Sequence, residues 1–278
     1  MKTRILTAIV ATGILIPVLI FSATPVFPIA LTLVAVVSLY ELFHCVGVKG
    51  LHISLPIYIS AAFLLFWIRY AENGQSFSTV AFSIASIILL YLFAVAVLSH
   101  GKFSFEALGV IFSTSLYIVA ACCMLIYVRD IDKVGKFIYL LIFIGAWITD
   151  IFAYFTGMLF GKHKLIPDVS PKKTVEGSIG GTVFCSLSFV AFGVIINSAF
   201  GGDANFLVLA IGGIAIAVIS QIGDLIMSVL KRHYGIKDFG KLFPGHGGML
   251  DRFDSILAVS LGVGVMCMLS SFLGISIL

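Results

Sequence analysis

Residues 205 to 230 read NFLVLAIGGIAIAVISQIGDLIMSVL, and Lys231 and Arg232 follow directly. Crossing a hydrocarbon core of ~30 Å takes ~20 predominantly apolar helical residues, and this stretch supplies them. One carboxylate, Asp224, lies in its second half. At a helix centre such a group costs about 2.5 to 3.5 kcal/mol on insertion scales, so it is expected to face a polar cavity or a cation. Gln221, Asp224, Ser228 and Lys231 follow helical spacing and share one face. A membrane helix with one polar edge is the unit from which the rest of the chain is read.

The remainder repeats it. Of 278 residues, 60% are hydrophobic and only 11% charged, against about 25% charged in an ordinary soluble domain. Mean hydropathy is +1.17. A water-soluble fold is excluded. Apolar runs divided by polar breaks give nine candidate helices, roughly 5 to 22, 26 to 48, 52 to 70, 77 to 99, 104 to 128, 134 to 160, 178 to 200, 205 to 230 and 255 to 276. The breaks hold turn formers and charge, as at Ala71-Glu72-Asn73-Gly74 and Arg129-Asp130-Ile131-Asp132-Lys133. The expected fold is all-α, a polytopic membrane protein with about nine transmembrane helices in a single integral membrane domain over residues 1–278. Within it, spans 1–5 occupy 1–130, and spans 6–9 occupy 131–278 with loops 161–178 and 231–254. Gly180-Gly181 and Gly212-Gly213 are expected to be close-packing points between helices. The five cysteines all lie in apolar runs, without disulfide or zinc spacing.

Charge placement orients the chain. The N-terminus and the loops after spans 2, 4, 6 and 8 carry Lys2, Arg4, Lys49, Lys102, Lys162, Lys164, Lys172, Lys173, Lys231, Arg232, Lys237, Lys241 and Arg252. The opposite side carries Arg69, Arg129, Lys133 and Lys136. This 13 to 4 split of basic residues puts the N-terminus in the cytoplasm and the C-terminus outside. The loops after spans 6 and 8 then face the same compartment and are both available to a cytoplasmic site. Residues 1 to 23 resemble a secretory signal in outline. They lack a clear small-residue cleavage pattern, so they are read as the first span.

The densest polar segment runs from Gln221 to Asp254. It holds Ser228, Lys231, Arg232, Lys237, Asp238, His246, Gly247, Gly248, Asp251, Arg252 and Asp254. Asp251 and Asp254, three apart at the expected start of span 9, point the same way. Two acidic helix faces beside a cluster of bases suit a Mg²⁺ ion, which takes one or two carboxylates and completes its octahedron from phosphate oxygens and water. Glycines such as Gly247-Gly248 let backbone N–H groups approach a phosphate, next to a helix N-terminus whose dipole favours anions. The loop Gly161 to Gly177 is rich in bases and turn formers, and it suits polyanion binding rather than a fold of its own. Upstream, Asp150, Tyr154, Gly157 and Gly161 form a polar and small stripe, which fits a packing groove as well as a substrate contact.

At these residues the chain resembles a known family. Ser228 to Asp254 matches S-x-x-K-R-x4-K-D-x-G-x3-P-x-H-G-G-x-x-D-R-x-D at thirteen specified positions within 27 residues, the pattern of phosphatidate cytidylyltransferases, also called CDP-diacylglycerol synthases. Ser170-Pro171-Lys172-Lys173-Thr174-Val175-Glu176-Gly177 resembles the same family's S-P-K-K-T-x-E-G. The first five spans resemble it only in hydropathy.

The resemblance implies a Mg²⁺-dependent attack of phosphatidic acid on CTP, releasing pyrophosphate. It also implies a second, monovalent cation (K⁺), a homodimer, the cytoplasmic (inner) membrane as location, and no nucleic-acid partner. It casts Asp224, Asp251 and Asp254 as metal ligands and Asp224, Lys237, Asp251 and Arg252 as catalytic. Substrate binding falls to Ser170, Lys172, Lys173, Ser228, Lys231, Arg232, His246, Gly247 and Gly248. No role follows for Glu41, Glu106 or Asp150. A transporter is the competing class for a chain with this many spans and buried acids, but transporters usually show related halves, and here the two parts are dissimilar.

Overall fold

The computed structural model describes residues 2–48, 50–71, 74–99 and 103–278. Lys49, Glu72, Asn73 and Lys102, which enter the loop and charge reading, lie outside the described residues. The helices are α1 (Lys2–Ile20), α2 (Val26–Val46), α3 (Leu51–Tyr70), α4 (Gly74–Leu98), α5 (Phe105–Asp130), α6 (Gly135–Phe160), α7 (Val175–Phe200), α8 (Phe206–His233) and α9 (Leu250–Leu273). Among the described residues, eight of them, α2 to α9, are long and apolar enough to cross a membrane, and α1 carries a shorter apolar stretch, Ile9–Ile20. The all-α polytopic membrane fold is therefore as expected. A helix of 26 residues such as α6 or α7 is about 39 Å long at 1.5 Å per residue. That exceeds the hydrocarbon core and leaves helix ends in the headgroup layer.

Three of the boundaries that differ from the hydropathy reading bear on the site. α7 begins at Val175 rather than 178, because the Thr174 hydroxyl accepts a hydrogen bond from the Gly177 N–H at 3.1 Å and so satisfies one of the unpaired donors of the first turn. α9 begins at Leu250 rather than 255, so Asp251 lies in its first turn. α8 runs on to His233, so Lys231 and Arg232 sit on its last turn, where cations complement the helix dipole. A further departure is the 161–178 loop. It contains an antiparallel hairpin, β1 (Lys164–Ile166) with β2 (Ser170–Thr174), pairing Lys164 with Thr174 and Ile166 with Ser170.

The chain folds as two compact units. One comprises Met1–Tyr127 with Tyr234–Arg252, the other Val128–His233 with Phe253–Leu278. In the first, α2 packs on α3, α3 on α4 and α1 on α2, around buried Leu31, Ala35, Leu39, Leu42, Ile53, Ala61 and Leu65. The Arg69 guanidinium donates to the Ser22 and Thr24 carbonyls at 3.1 and 2.7 Å, tying the α1–α2 turn to the end of α3.

In the second unit α6, α7 and α8 pack on one another, and small residues set the spacing as expected. A Cβ on Gly181 would lie 2.7 Å from the Thr149 carbonyl oxygen of α6, and one on Gly213 would lie 2.6 Å from Ser186 Cα of α7. The Ser186 hydroxyl donates to the Ala210 carbonyl of α8 at 2.8 Å. Lipid supplies little hydrophobic drive between helices, so association rests on this close backbone approach and on hydrogen bonds across it.

Candidate active site

In the second unit, the hairpin delivers bases to the polar edge of α8. Side chains alternate along a strand, so Ser170, Lys172 and Thr174 share one face of β2 and Lys173 takes the other. Lys172 is exposed. Lys173 turns inward, and its Nζ lies 2.5 Å from Asp224 Oδ2, with the two side chains 24% and 28% exposed. Asp224 Oδ1 accepts from Ser228 Oγ, one turn further along α8, at 3.4 Å. Lys231 is buried, while Arg232 is exposed and donates through Nε to the Val169 carbonyl in the hairpin turn at 3.4 Å. Gln221, one turn before Asp224 on the same continuous helix, is turned to α7 rather than to the hairpin. It is buried, and its amide donates to Thr182 Oγ1 of α7 at 3.3 Å and to the Ala217 carbonyl at 3.2 Å.

The hairpin is held at its base. The Glu176 carboxylate, in the first turn of α7, accepts the Lys162 and His163 backbone N–H groups at 3.1 and 3.2 Å and lies 2.7 Å from His163 Nδ1. The small stripe of α6 is a packing groove. A Cβ on Gly157 would lie 2.8 Å from Thr174 Oγ1, and one on Gly161 would collide with Thr174 as well. Asp150, at the head of that stripe, accepts from Ser255 Oγ of α9 at 3.3 Å. Next to Ser255, Asp254 lies within electrostatic range of Asp224, Asp150 and Lys231. This unit thus gathers carboxylates from α6, α8 and α9 with lysines from β2 and α8. Asp150 had no role in the sequence reading, because its hydrogen-bond partner lies 105 positions away.

In the first unit, the glycine-rich segment folds into a tight turn ahead of α9. Phe243 N–H donates to the Gly247 carbonyl at 2.9 Å and His246 N–H to the Phe243 carbonyl at 2.8 Å. Gly245 and Gly247 have φ of 80° and 90°, where a side chain would be strained. Asp251, buried, closes the turn: its Oδ2 accepts the N–H groups of Phe239 and Gly248 at 2.8 and 2.9 Å. Lys237 and Arg252 are exposed beside it. His246 Nδ1 is buried with no hydrogen-bond partner among the described residues. Glu41 of α2, also without a role in the sequence reading, accepts the Met249 and Leu250 N–H groups.

Of the residues the sequence singles out, the second unit holds Ser170, Lys172, Lys173, Asp224, Ser228, Lys231, Arg232 and Asp254. The first holds Lys237, His246, Gly247, Gly248, Asp251 and Arg252. Among the described residues, no three His, Cys, Asp or Glu side chains form a group that could hold a metal ion by itself. The donors present are hard carboxylate oxygens. They fit an ion that takes one or two of them and draws its other ligands from phosphate and water, as Mg²⁺ does.

Residues 2–271 match the model of the cytidylyltransferase family. A phosphatidate cytidylyltransferase of Staphylococcus haemolyticus (strain JCSC1435) is 37% identical over 259 residues, covering 93% of this chain and 96% of that protein. One of Bacillus subtilis (strain 168) is 35% identical over 263 residues, covering 93% and 94%.

Proposed function

The chain belongs to the cytidylyltransferase family, a family of nucleotidyltransferases, and on that premise we propose that it condenses phosphatidic acid with CTP to give CDP-diacylglycerol and pyrophosphate. The relatives in Staphylococcus haemolyticus and Bacillus subtilis carry the name of that activity. The observation that carries the reading to particular residues is the Lys173–Asp224 pair. It joins the base-rich hairpin and the acid of α8, two segments 51 positions apart in sequence.

In the reaction, an oxygen of the lipid phosphate forms a bond to the α-phosphorus of CTP. The bond from that phosphorus to the bridging oxygen of the β-phosphate breaks, and pyrophosphate leaves with the electron pair. The nucleophile is already ionised, so no strong protein base is needed, and alignment and charge neutralisation carry the catalysis. The metal role falls to Asp224 and Asp254 in the second unit and to Asp251 in the first, each taken by itself; Mg²⁺ when bound would supply neutralisation of triphosphate charge, and a monovalent K⁺ is part of the same reading.

Lys231, Arg232, Lys237 and Arg252 neutralise the triphosphate and the lipid phosphate. Lys172 and Ser170 on β2 hold one of the two anions, and Lys173 holds Asp224 in place through their ion pair. Ser228 orients Asp224. His246, Gly247 and Gly248 offer a ring nitrogen and close backbone N–H groups to phosphate.

The distribution of basic residues supports placing the N-terminus and the site in the cytoplasm and the C-terminus outside, and the family likeness supports the inner membrane as location. A homodimer completes the reading. The test is detergent-solubilised protein with phosphatidic acid, CTP and Mg²⁺, followed for pyrophosphate and a CDP-lipid. Pyrophosphate released only when both substrates are present is the expected result. No release, with solute flux in proteoliposomes instead, overturns the reading in favour of a transporter.

A further inference from the structure

Glu41 is a carboxylate inside an otherwise apolar helix. α2 runs from Val26 to Val46 with no other acid and no Lys or Arg, and Glu41 is 5% exposed. A group that costs this much to place in a membrane span is expected to serve something. Its two oxygens are spent separately. Oε1 accepts the Met249 N–H at 2.9 Å and Oε2 accepts the Leu250 N–H at 2.8 Å. These donors stand at the start of α9, where backbone N–H groups have no partner within the helix. Glu41 therefore caps α9 from another helix, in place of a capping side chain of α9's own.

The fit extends into the preceding turn. A Cβ on Gly240 would collide with Glu41 Oε1, and a Cβ on Gly248 would meet both carboxylate oxygens. The turn is pinned from the other side by Asp251 Oδ2, which accepts Phe239 and Gly248 N–H. Residues 239 to 251 are thus held between two carboxylates, one on α2 and one on α9. Lys237, His246, Gly247, Gly248, Asp251 and Arg252 all lie in or next to this clamped segment.

We propose that Glu41 is a positioning residue for the reaction: it fixes the start of α9 and the glycine turn, and through them the groups of that segment that meet phosphate. This rests on the cytidylyltransferase reading above. It also accounts for glycine at position 240, where no phosphate contact is invoked.

The experiment compares Glu41→Gln, Glu41→Ala, Gly240→Ala and the Glu41→Ala/Gly240→Ala pair. Turnover is measured per folded molecule, with folded protein quantified by size-exclusion profile and thermal midpoint, and amide exchange is followed at residues 249 and 250. Gln keeps the shape, but its NH₂ faces a backbone donor, so one of the two bonds is lost. Turnover per folded molecule falls about 10- to 100-fold, as expected when charge-assisted bonds to a positioned segment are removed, and exchange at 249 and 250 quickens. Gly240→Ala alone gives a loss of the same order. Added to Glu41→Ala it gives less than a further twofold, because the carboxylate it would strike is gone.

Wild-type turnover per folded molecule in Glu41→Gln overturns the proposal, as does a pair whose losses multiply. So does failure of every variant to accumulate as folded protein, which would make Glu41 a folding residue only. Absence of turnover in the unmodified protein would instead defeat the functional reading, and the exchange measurement at 249 and 250 would still report on the cap.

Discussion

Lys173→Met leaves Asp224 without the cation 2.5 Å from its Oδ2, and the size of the loss follows from how buried the pair is. Breaking an ion pair costs about 0.2–1 kcal/mol when both partners are exposed and about 3–5 kcal/mol when both are buried. With side chains 24% and 28% exposed, this pair falls between, at about 1–3 kcal/mol. If the transition state keeps the pair, kcat/KM falls about 5- to 150-fold at ~1.4 kcal/mol per tenfold. Lys173→Arg, which keeps the charge but not the compact ammonium, loses less. The assay is pyrophosphate release with CTP and phosphatidic acid varied separately.

Stability gives an independent arm. Lys173→Met and Asp224→Asn each leave one member of the pair alone, so the double variant is destabilised by less than the sum of the singles, with a coupling of about 1–3 kcal/mol read from thermal midpoints. Single effects that add to within about 0.5 kcal/mol refute the pairing, and with it the link between hairpin and α8 on which the functional assignment leans.

Asp224→Asn abolishes turnover while the protein remains folded in the membrane; near-normal activity in the purified variant would remove Asp224 from the metal and phosphate chemistry. Lys172→Ala, acting at an exposed position of β2, raises the KM for one anionic substrate a few-fold, and the effect shrinks as salt rises because exposed charges are screened over about 8 Å at physiological ionic strength. An unchanged KM for both substrates takes Lys172 out of the site. Gly213→Ala, whose Cβ would lie 2.6 Å from Ser186 Cα, forces α7 and α8 apart and lowers stability by about 1–3 kcal/mol. Gly109→Ala in α5, where nothing lies within 4 Å, is neutral or stabilising by up to ~1 kcal/mol, so equal thermal shifts in the two variants would contradict the packing account.

The helices were legible from hydropathy because lipid leaves the backbone no partner outside its own helix, so every span must be long, apolar and continuous. What hydropathy misplaced were the polar ends. Asp251, Arg252 and Asp254 fall before the apolar run that begins at 255, yet they lie in the first turns of α9, whose first N–H groups are accepted by a glutamate more than 200 positions earlier. The hairpin was missed for a different reason. β1 has three residues and β2 reads Ser-Pro-Lys-Lys-Thr, with no apolar alternation to announce a strand. Within one helix, spacing was informative, and the Ser228–Asp224 bond joins an i, i+4 pair. Between helices it was silent, since the partners of Asp224 and Asp150 are chosen by how α6, α7, α8 and α9 pack.

The partners of the in-span acids separate two roles that composition alone leaves mixed. Glu41 is held by backbone N–H groups, which have no rotamers and cannot be withdrawn without unwinding the start of α9, so its charge is committed to shape. Asp224 and Asp150 are met by the side chains of Lys173, Ser228 and Ser255, each able to rotate when an arriving phosphate offers better charge compensation. Glu41, with each oxygen given to a backbone N–H, holds a segment still. An acid satisfied by rotatable side chains can exchange partners within a reaction cycle, and in the second unit Asp150 on α6 and Asp224 on α8 are two such acids, the latter beside a lysine carried in by the hairpin. The same distinction explains why removing Glu41 should slow turnover by displacing a turn, whereas removing Asp224 should end it.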